Sequence, residues 1–375
     1  MMRTKLIDLC EIQYGYAFDS KKFSEDSHYI PLIRIRDVKR GFSETFYSGE
    51  YPNEYIVHKG NLLIGMDGEF NIARWKSQDA LLNQRVCKIS AKHGACEEYL
   101  RFALVKELKS IENRTAFVTV KHLSAKELNK IELDIPTYEI QVSIAETLNN
   151  LENIIMLRKQ QLTKLDELVK ARFVELFGDP ISNPHGFDKV TLSELADIKI
   201  GPFGSLLHKE DYIEGGHALL NPSHIIDEKV VPDNKLTVSV QKYEELSAYH
   251  LKTGDVVMGR RGEMGRCAVV PCDGYLCGTG SLMVRTKGKV TADYIQKIIS
   301  FPSFKKSIED MAVGQTMPNL NVPIVSNFQI IKPPIEIQKS YYDFVEQVDK
   351  SKFAVQKALD EAQTLFDSLM QQYFG

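Results

Sequence analysis

Pro136-Thr137-Tyr138-Glu139-Ile140-Gln141 opens a stretch that closes on Phe177-Gly178. Pro333-Pro334-Ile335-Glu336-Ile337-Gln338 opens a second that closes on Phe374-Gly375. The chain writes one segment twice. The first copy carries a seam of Ile144, Leu148, Leu151, Ile155, Arg158, Leu162, Leu165, Val169, Arg172 and Leu176. The second carries Tyr341, Val345, Val348, Lys352, Val355, Leu359, Ala362, Phe366, Leu369 and Tyr373. The two lists stay in step without a gap. Alternating steps of three and four average about 3.5 residues, the coiled-coil period. Neither seam contains Pro or Gly, so nothing breaks the helix. Each copy predicts a helix of roughly 36 residues, about 54 Å long at ~1.5 Å per residue. One apolar stripe on a lone helix stays unburied, and the natural partner is the repeat itself. A core helix of an ordinary domain is the blander alternative. Two copies of this length, each ending a half of the chain, argue against it.

Working outward, the repeat extends upstream. Leu6, Leu9, Ile12 and Gly15 match Leu192, Leu195, Ile198 and Gly201. Strand-like runs follow at Ile30–Val38 and His217–Ile225. A sharper pair is Lys59-Gly60-Asn61 leading through Leu62–Ile64 to Gly65, against Thr253-Gly254-Asp255 leading through Val256–Met258 to Gly259. Each reads as a turn, a buried strand and a glycine-rich turn. Further strands are expected at Asn83–Ile89 and Ser281–Arg285. Helices are expected at Glu97–Ile111 and Ala292–Asp310, then short strands at Lys130–Ile135 and Asn327–Lys332. Leu192 follows Leu6 by 186 residues and Gln338 follows Gln141 by 197, so the globular parts are unequal while the helices match. The Gly- and Pro-bearing link 178–186 separates the halves. An internal repeat of this size implies internal pseudo-symmetry.

Composition narrows the function. The chain has 375 residues, 47 Lys and Arg against 50 Asp and Glu, and a net charge of −3. That is enough length for two or three domains, and it argues against a bulk electrostatic nucleic-acid binder. No run approaches the ~20 apolar residues of a membrane span, and Met1-Met2-Arg3-Thr4-Lys5 does not begin a signal peptide. The expected compartment is the cytoplasm. Six cysteines without a Cys-x-x-Cys pair read as unpaired thiols in strands.

Catalytic patterns are missing. There is no Gly-x-x-x-x-Gly-Lys-Ser/Thr loop and no Gly-x-Gly-x-x-Gly opening a βαβ unit; Gly278-Thr279-Gly280 reads as a turn. Asn221-Pro222-Ser223-His224 lacks the second Pro and the aromatic of a base-methyltransferase pocket. Glu107-Leu108-Lys109 has a nuclease-like tripeptide but falls on a helix. The nine histidines show no metal spacing.

Binding chemistry is present beside the strands. The first half offers Arg34, Arg36, Lys39, Arg40, Asn71, Arg74, Asn83, Gln84 and Arg85; the second offers Asn221, His224, Arg260, Arg261 and Arg266. Arg forks onto guanine O6/N7, and Asn or Gln onto adenine N6/N7. Glycines in 259–266 permit close approach of main-chain N–H groups to phosphate. Each residue alone reads equally well as a solvated charge. Recurrence at matching places in both halves is the signal, and Asp37 and Glu69 read as groups that orient the arginines.

The order of these parts resembles the DNA-specificity (S) subunit of type I restriction–modification systems. The carriers are 333–338, Thr316-Met317-Pro318-Asn319-Leu320, Ile30–Asp37 and Asn83-Gln84-Arg85-Val86, all duplicated in order. The first half departs with Pro136-Thr137 for Pro-Pro and with Thr119-Val120-Lys121-His122-Leu123 in a loop expected to carry small polar residues. The resemblance implies an α+β fold: two mixed α/β target-recognition domains, 1–135 and 179–332, joined by two antiparallel coiled-coil spacer helices, 136–178 and 333–375. It implies a non-catalytic chain whose partners are double-stranded DNA, two methyltransferase (M) subunits and two motor–nuclease (R) subunits. S-adenosylmethionine, ATP and Mg²⁺ would belong to those partners. The competing reading is a coiled-coil scaffold whose globular domains bind proteins.

Overall fold

The structure, a computed structural model, describes residues 2–114, 121–262, 265–312 and 319–375. They fall into two compact units. One runs to Gln160 and includes Gln356–Gly375; the other is Gln161–Val355.

Each unit is built on a four-stranded antiparallel sheet. In the first the order is Cys10–Tyr14, Val86–Ala91, Leu62–Gly65, Ile72–Arg74; in the second it is Ala196–Ile200, Ser281–Thr286, Val256–Gly259, Cys267–Val269. The apolar runs Leu62–Ile64 and Val256–Met258 are fully buried, as uninterrupted Val/Leu/Ile strands must be. Gly60 and Gly254 turn the chain into them at φ 94° and 84°, a region open to glycine at no steric cost. A five-stranded mixed sheet lies in each unit beside the first. It contains one parallel pair, Ile30–Ile33 with Ala80–Leu82 and His217–Leu220 with Tyr275–Cys277. A two-stranded ladder closes each unit: Met2–Lys5 with Glu132–Ile135, and Lys189–Thr191 with Gln329–Ile331.

Two long helices, Tyr138–Phe177 and Ile335–Phe374, have 40 residues each. In the first unit Ile144 and Leu148 share a core with Phe366, Leu369 and Tyr373. In the second, Phe173 and Phe177 share one with Tyr341, flanked by Val169, Leu176 and Val345. So in each unit the start of one long helix packs beside the end of the other. The seam is buried or half-buried wherever it was expected: Leu148, Leu151, Ile155, Val348, Val355 and Leu359 are buried, and Leu162, Leu165, Val345 and Phe366 half-buried. The charged seam member Lys352 is met by Asp166 at 2.6 Å.

The glutamine that opens each long helix has a structural task. Gln141 Oε1 accepts from Cys96 N at 2.9 Å while its Nε2 donates to Pro136 O at 3.0 Å. Gln338 does the same with Thr291 N at 3.0 Å and Pro333 O at 2.9 Å. Both are buried. The bond needs a carbonyl five residues back, so Pro136-Thr137 serves as well as Pro333-Pro334.

Three expectations change. The strand at Ile30 ends at Ile33, and Ile35–Arg40 is a helix. The buried Asp37 carboxylate caps that helix by accepting from Arg34 N at 2.8 Å, and Gly41 at φ 80° stops it. The strand at His217 likewise ends at Leu220, followed by the helical turn Pro222–His224. The expected helix over 292–310 is two, Ala292–Ser300 and Pro302–Ala312, broken where Pro302 withdraws a donor. All six cysteines are unpaired, but Cys96 and Cys272 lie outside strands.

Candidate nucleic-acid interface

Three main-chain bonds assemble the same loop cluster in both units. Gly65 N donates to Asn71 O at 2.9 Å, as Gly259 N does to Arg266 O at 2.8 Å. Met66 N donates to Arg85 O at 2.9 Å, as Arg260 N does to Gly280 O at 3.0 Å. Leu123 N donates to Met66 O at 2.7 Å, as Leu320 N does to Arg260 O at 2.9 Å. Each sheet thus ends in a glycine-rich turn clamped between the turn before the next strand and a segment from much later in the chain. Helix Ile35–Arg40 in one unit and turn Pro222–His224 in the other pack on the same glycine. A Cβ on Gly65 would lie 3.2 Å from Ile35 Cγ2, and one on Gly259 would lie 3.2 Å from Pro222 Cβ.

In the first unit this brings together Arg34, Arg36, Lys39, Asn71, Gln84 and Arg85. Arg34 and Arg36 line a polar cleft of about 720 Å³ with Glu25, Glu44 and Thr45. Arg36, Lys39 and Asn71 line a smaller one of about 470 Å³ with Arg40 and Glu69. Lys39 Nζ sits 3.1 Å from Glu69, and Arg36 Nε 3.7 Å from Asp37, so of the two acids expected beside arginines Asp37 meets one and Glu69 meets a lysine instead. Gln84 is exposed in the turn beside Arg85. Arg85 Nε reaches Asp67 Oδ2 at 3.3 Å, and Asp67 Oδ1 also meets His122. Asp67 and His122 were missed as members of the cluster. Their signal was positional, because His122 corresponds to Asn319 in the second half.

Arg74 is placed apart from this cluster. Its guanidinium is held by Glu98, by Glu97 at 2.8 Å and by Gly60 O at 2.5 Å. Burial disfavours its charge, but the bonds to Glu98 and Glu97 outweigh that and hold its pKa above the ordinary value. It braces the domain against the long helix, where Arg101 joins Glu98 at 2.7 Å to Glu152 at 2.7 Å.

In the second unit the candidates divide. His224 is 5% exposed, and its Nδ1 accepts from Asn221 N at 3.1 Å, so it caps a turn. Asn221 Oδ1 accepts from Gly280 N at 3.4 Å, and Arg266 Nη1 donates to Pro222 O at 3.4 Å. These three hold loops together. Arg260 and Arg261 stand at the tip, with Arg260 Nε donating to Asn319 Oδ1 at 3.1 Å. Burial, and then the neighbouring charge of Arg261, push the Arg260 pKa below its usual value. Residues 119–120, 263–264 and 316–318 of the quoted stretches lie outside the described residues. Among the described residues no three His, Cys, Asp or Glu side chains are grouped to hold a metal ion, and no helix is long and apolar enough to cross a membrane.

Residues 1–167 and 184–362 each match the family model described as type I restriction modification DNA specificity domain. The chain is similar to the EcoBI type I restriction enzyme specificity subunit of Escherichia coli, at 28% identity over 99% of this chain and 84% of that one. It is similar to the MjaVIII specificity subunit of Methanocaldococcus jannaschii at 21% identity, over 88% of this chain and 83% of that one. In fold it resembles the type I S subunit from M. genitalium, with TM-score 0.59, 14% identity, and 100% and 96% of the two chains covered. A chain from a structure of type I complex assembly and conformational transition matches at TM-score 0.60, 16% identity, and 100% and 97% coverage.

Proposed function

From the premise that this chain belongs to the type I restriction modification DNA specificity family, we propose that it is the non-catalytic subunit that tells its complex where to act. The recognition domains, 1–135 and 179–332, each read one half of a bipartite, asymmetric DNA site. The spacer helices, 136–178 and 333–375, set the gap between half-sites and dock two methyltransferase subunits. Two motor–nuclease subunits join for cleavage, and S-adenosylmethionine, ATP and Mg²⁺ act on those partners in the cytoplasm.

The observation that carries this reading is the duplicated loop cluster. The same main-chain bonds present Arg85 with Gln84 in one domain and Arg260 with Arg261 in the other. A reader of two unlike half-sites needs such a common frame with different side chains. The helices support the ruler role through their equal 40-residue length. They also present apolar side chains outward, with Phe353 76% and Leu157 57% exposed, where a partner subunit would cover them.

The test is to delete one heptad from each helix in register. About 10 Å is lost at ~1.5 Å per residue, roughly 3 base pairs at ~3.4 Å each. The complex with its methyltransferase should then methylate sites whose unspecified spacer is shorter by about that amount. An unchanged spacer in methylome sequencing removes the ruler role.

A further inference from the structure

The two loop clusters share a main-chain frame, but only the second places a guanidinium at its centre. The position filled by Arg260 is filled in the first unit by Met66, whose backbone makes the matching bonds and whose side chain is buried. Arg260 is fixed three times over. Its N–H donates to Gly280 O at 3.0 Å, its carbonyl accepts from Leu320 N at 2.9 Å, and its Nε donates to Asn319 Oδ1 at 3.1 Å. An arginine ordinarily loses rotamer entropy when a ligand immobilises it; here the frame has already restricted the side chain.

The partner that fixes Nε is a neutral amide. Arg85 in the first domain is compensated by Asp67, whereas among the described residues no carboxylate lies in salt-bridge range of Arg260. The neighbouring Arg261 adds charge of the same sign. Among the described residues, then, this half-buried cation is short of acceptors. With Nε committed, none of them takes the terminal Nη1–Nη2 edge. Two parallel donors at fixed separation match a pair of acceptors such as guanine O6 and N7. A phosphate contact needs charge near the backbone but no locked orientation, and the exposed Arg261 already supplies that.

We infer that Arg260 reads a guanine in the half-site of the second domain, with Asn319 as its positioning residue. This deepens the proposed function and rests on it. The first domain, with Met66 at that position, reads its half-site without this contact.

The experiment selects bound duplexes from a library randomised across both half-sites, using the full chain assembled with its methyltransferase partner. Wild type should show a guanine preference at one position of one half-site. Arg260→Gln should relax that position roughly tenfold to a hundredfold, the reach of one bidentate pair, and leave the other half-site's preferences intact. Asn319→Ala should relax the same position more weakly, and Asn319→Gln, which keeps a neutral amide acceptor, should restore part of it. Uniform weakening by Arg260→Gln across all sequences, with a salt slope lower by about one, would mark a phosphate contact and overturn the inference. Relaxation of both half-sites together would mark misfolding and also count against a reading role. No sequence selection by the wild-type complex would instead sink the proposed function itself.

Discussion

Asn61 and Asp255 hold the same place in the two domains. Each follows the glycine turn into the central buried strand, and each side chain accepts from the N–H three residues back, His58 at 2.8 Å and Lys252 at 2.7 Å. Only Asp255 is charged, and Arg285 meets it at 2.6 and 2.7 Å where the first domain has the neutral Ser90. The trade runs the other way at the long helix. The first domain carries Arg74, Glu98, Arg101 and Glu152 as one connected group; the second has Val269 and Gln296 in place of the two arginines. Main-chain bonds are kept between the halves. Asp255 and Arg285 arrive together, whereas at the long helix the two arginines are gone while Asp293 and Asp349 stand where Glu98 and Glu152 do. For the Asp255–Arg285 pair the reason is energetic. Breaking a buried pair by removing one partner costs about 3–5 kcal/mol, whereas replacing both is close to neutral.

That contrast can be broken by experiment. Arg101→Ala should lower stability by about 3 kcal/mol, since it strips two carboxylates of a half-buried partner. Gln296→Ala at the matching place should cost less, about 1–2 kcal/mol, the loss of hydrogen bonds to Ser300 at 3.0 Å and to Glu228. Urea denaturation compares them, and equal losses would erase the distinction. Where the frame is shared, the losses should match. A Cβ on Gly15 would fall 2.0 Å from Asn83 O, and one on Gly201 would fall 2.0 Å from Gly278 O. Gly15→Ala and Gly201→Ala should each cost about 2 kcal/mol through forced backbone movement. A large difference between them would show that the two frames are not equivalent.

The smallest effect is a pH dependence. Burial would raise the Glu98 pKa, but hydrogen bonds from Arg101 and Arg74 outweigh it and hold the carboxyl below its usual range. A depressed carboxyl stabilises the fold above its unfolded pKa, about 4.3, and that contribution is lost as pH falls through the lower folded value. The stability gap between wild type and Arg101→Ala should therefore narrow on acidification from pH 5 towards pH 3. A gap that stays constant would mean the carboxyl is not coupled to folding.

The fold was legible because its strongest signals are periodic and doubled: the seam, the glycine turns and the Gln141 and Gln338 openings all sit where the sequence places them. What escaped was punctuation set by a single side chain. Asp37 turns an expected strand into a helix by capping it, and Pro302 divides an expected helix. The candidate site was legible as a set of loops but not as roles. Arg74 and His224 carry the right chemistry, yet one is spent on Glu97 and Glu98 and the other caps a turn. Asn319 also has a base reader's amide, yet its Oδ1 accepts from Arg260 Nε at 3.1 Å, a proximity no local pattern announces.

Residues 356–375 belong to the compact unit that begins the chain, and Phe366, Leu369, Tyr373 and Phe374 pack on its core. On the ribosome, then, the stretch up to Gln160 must wait for a segment made after the whole of Gln161–Val355. Its nascent core stays open until residues 356–375 have emerged, and a stop near Gln356 would cripple this unit while leaving the chain of the other whole.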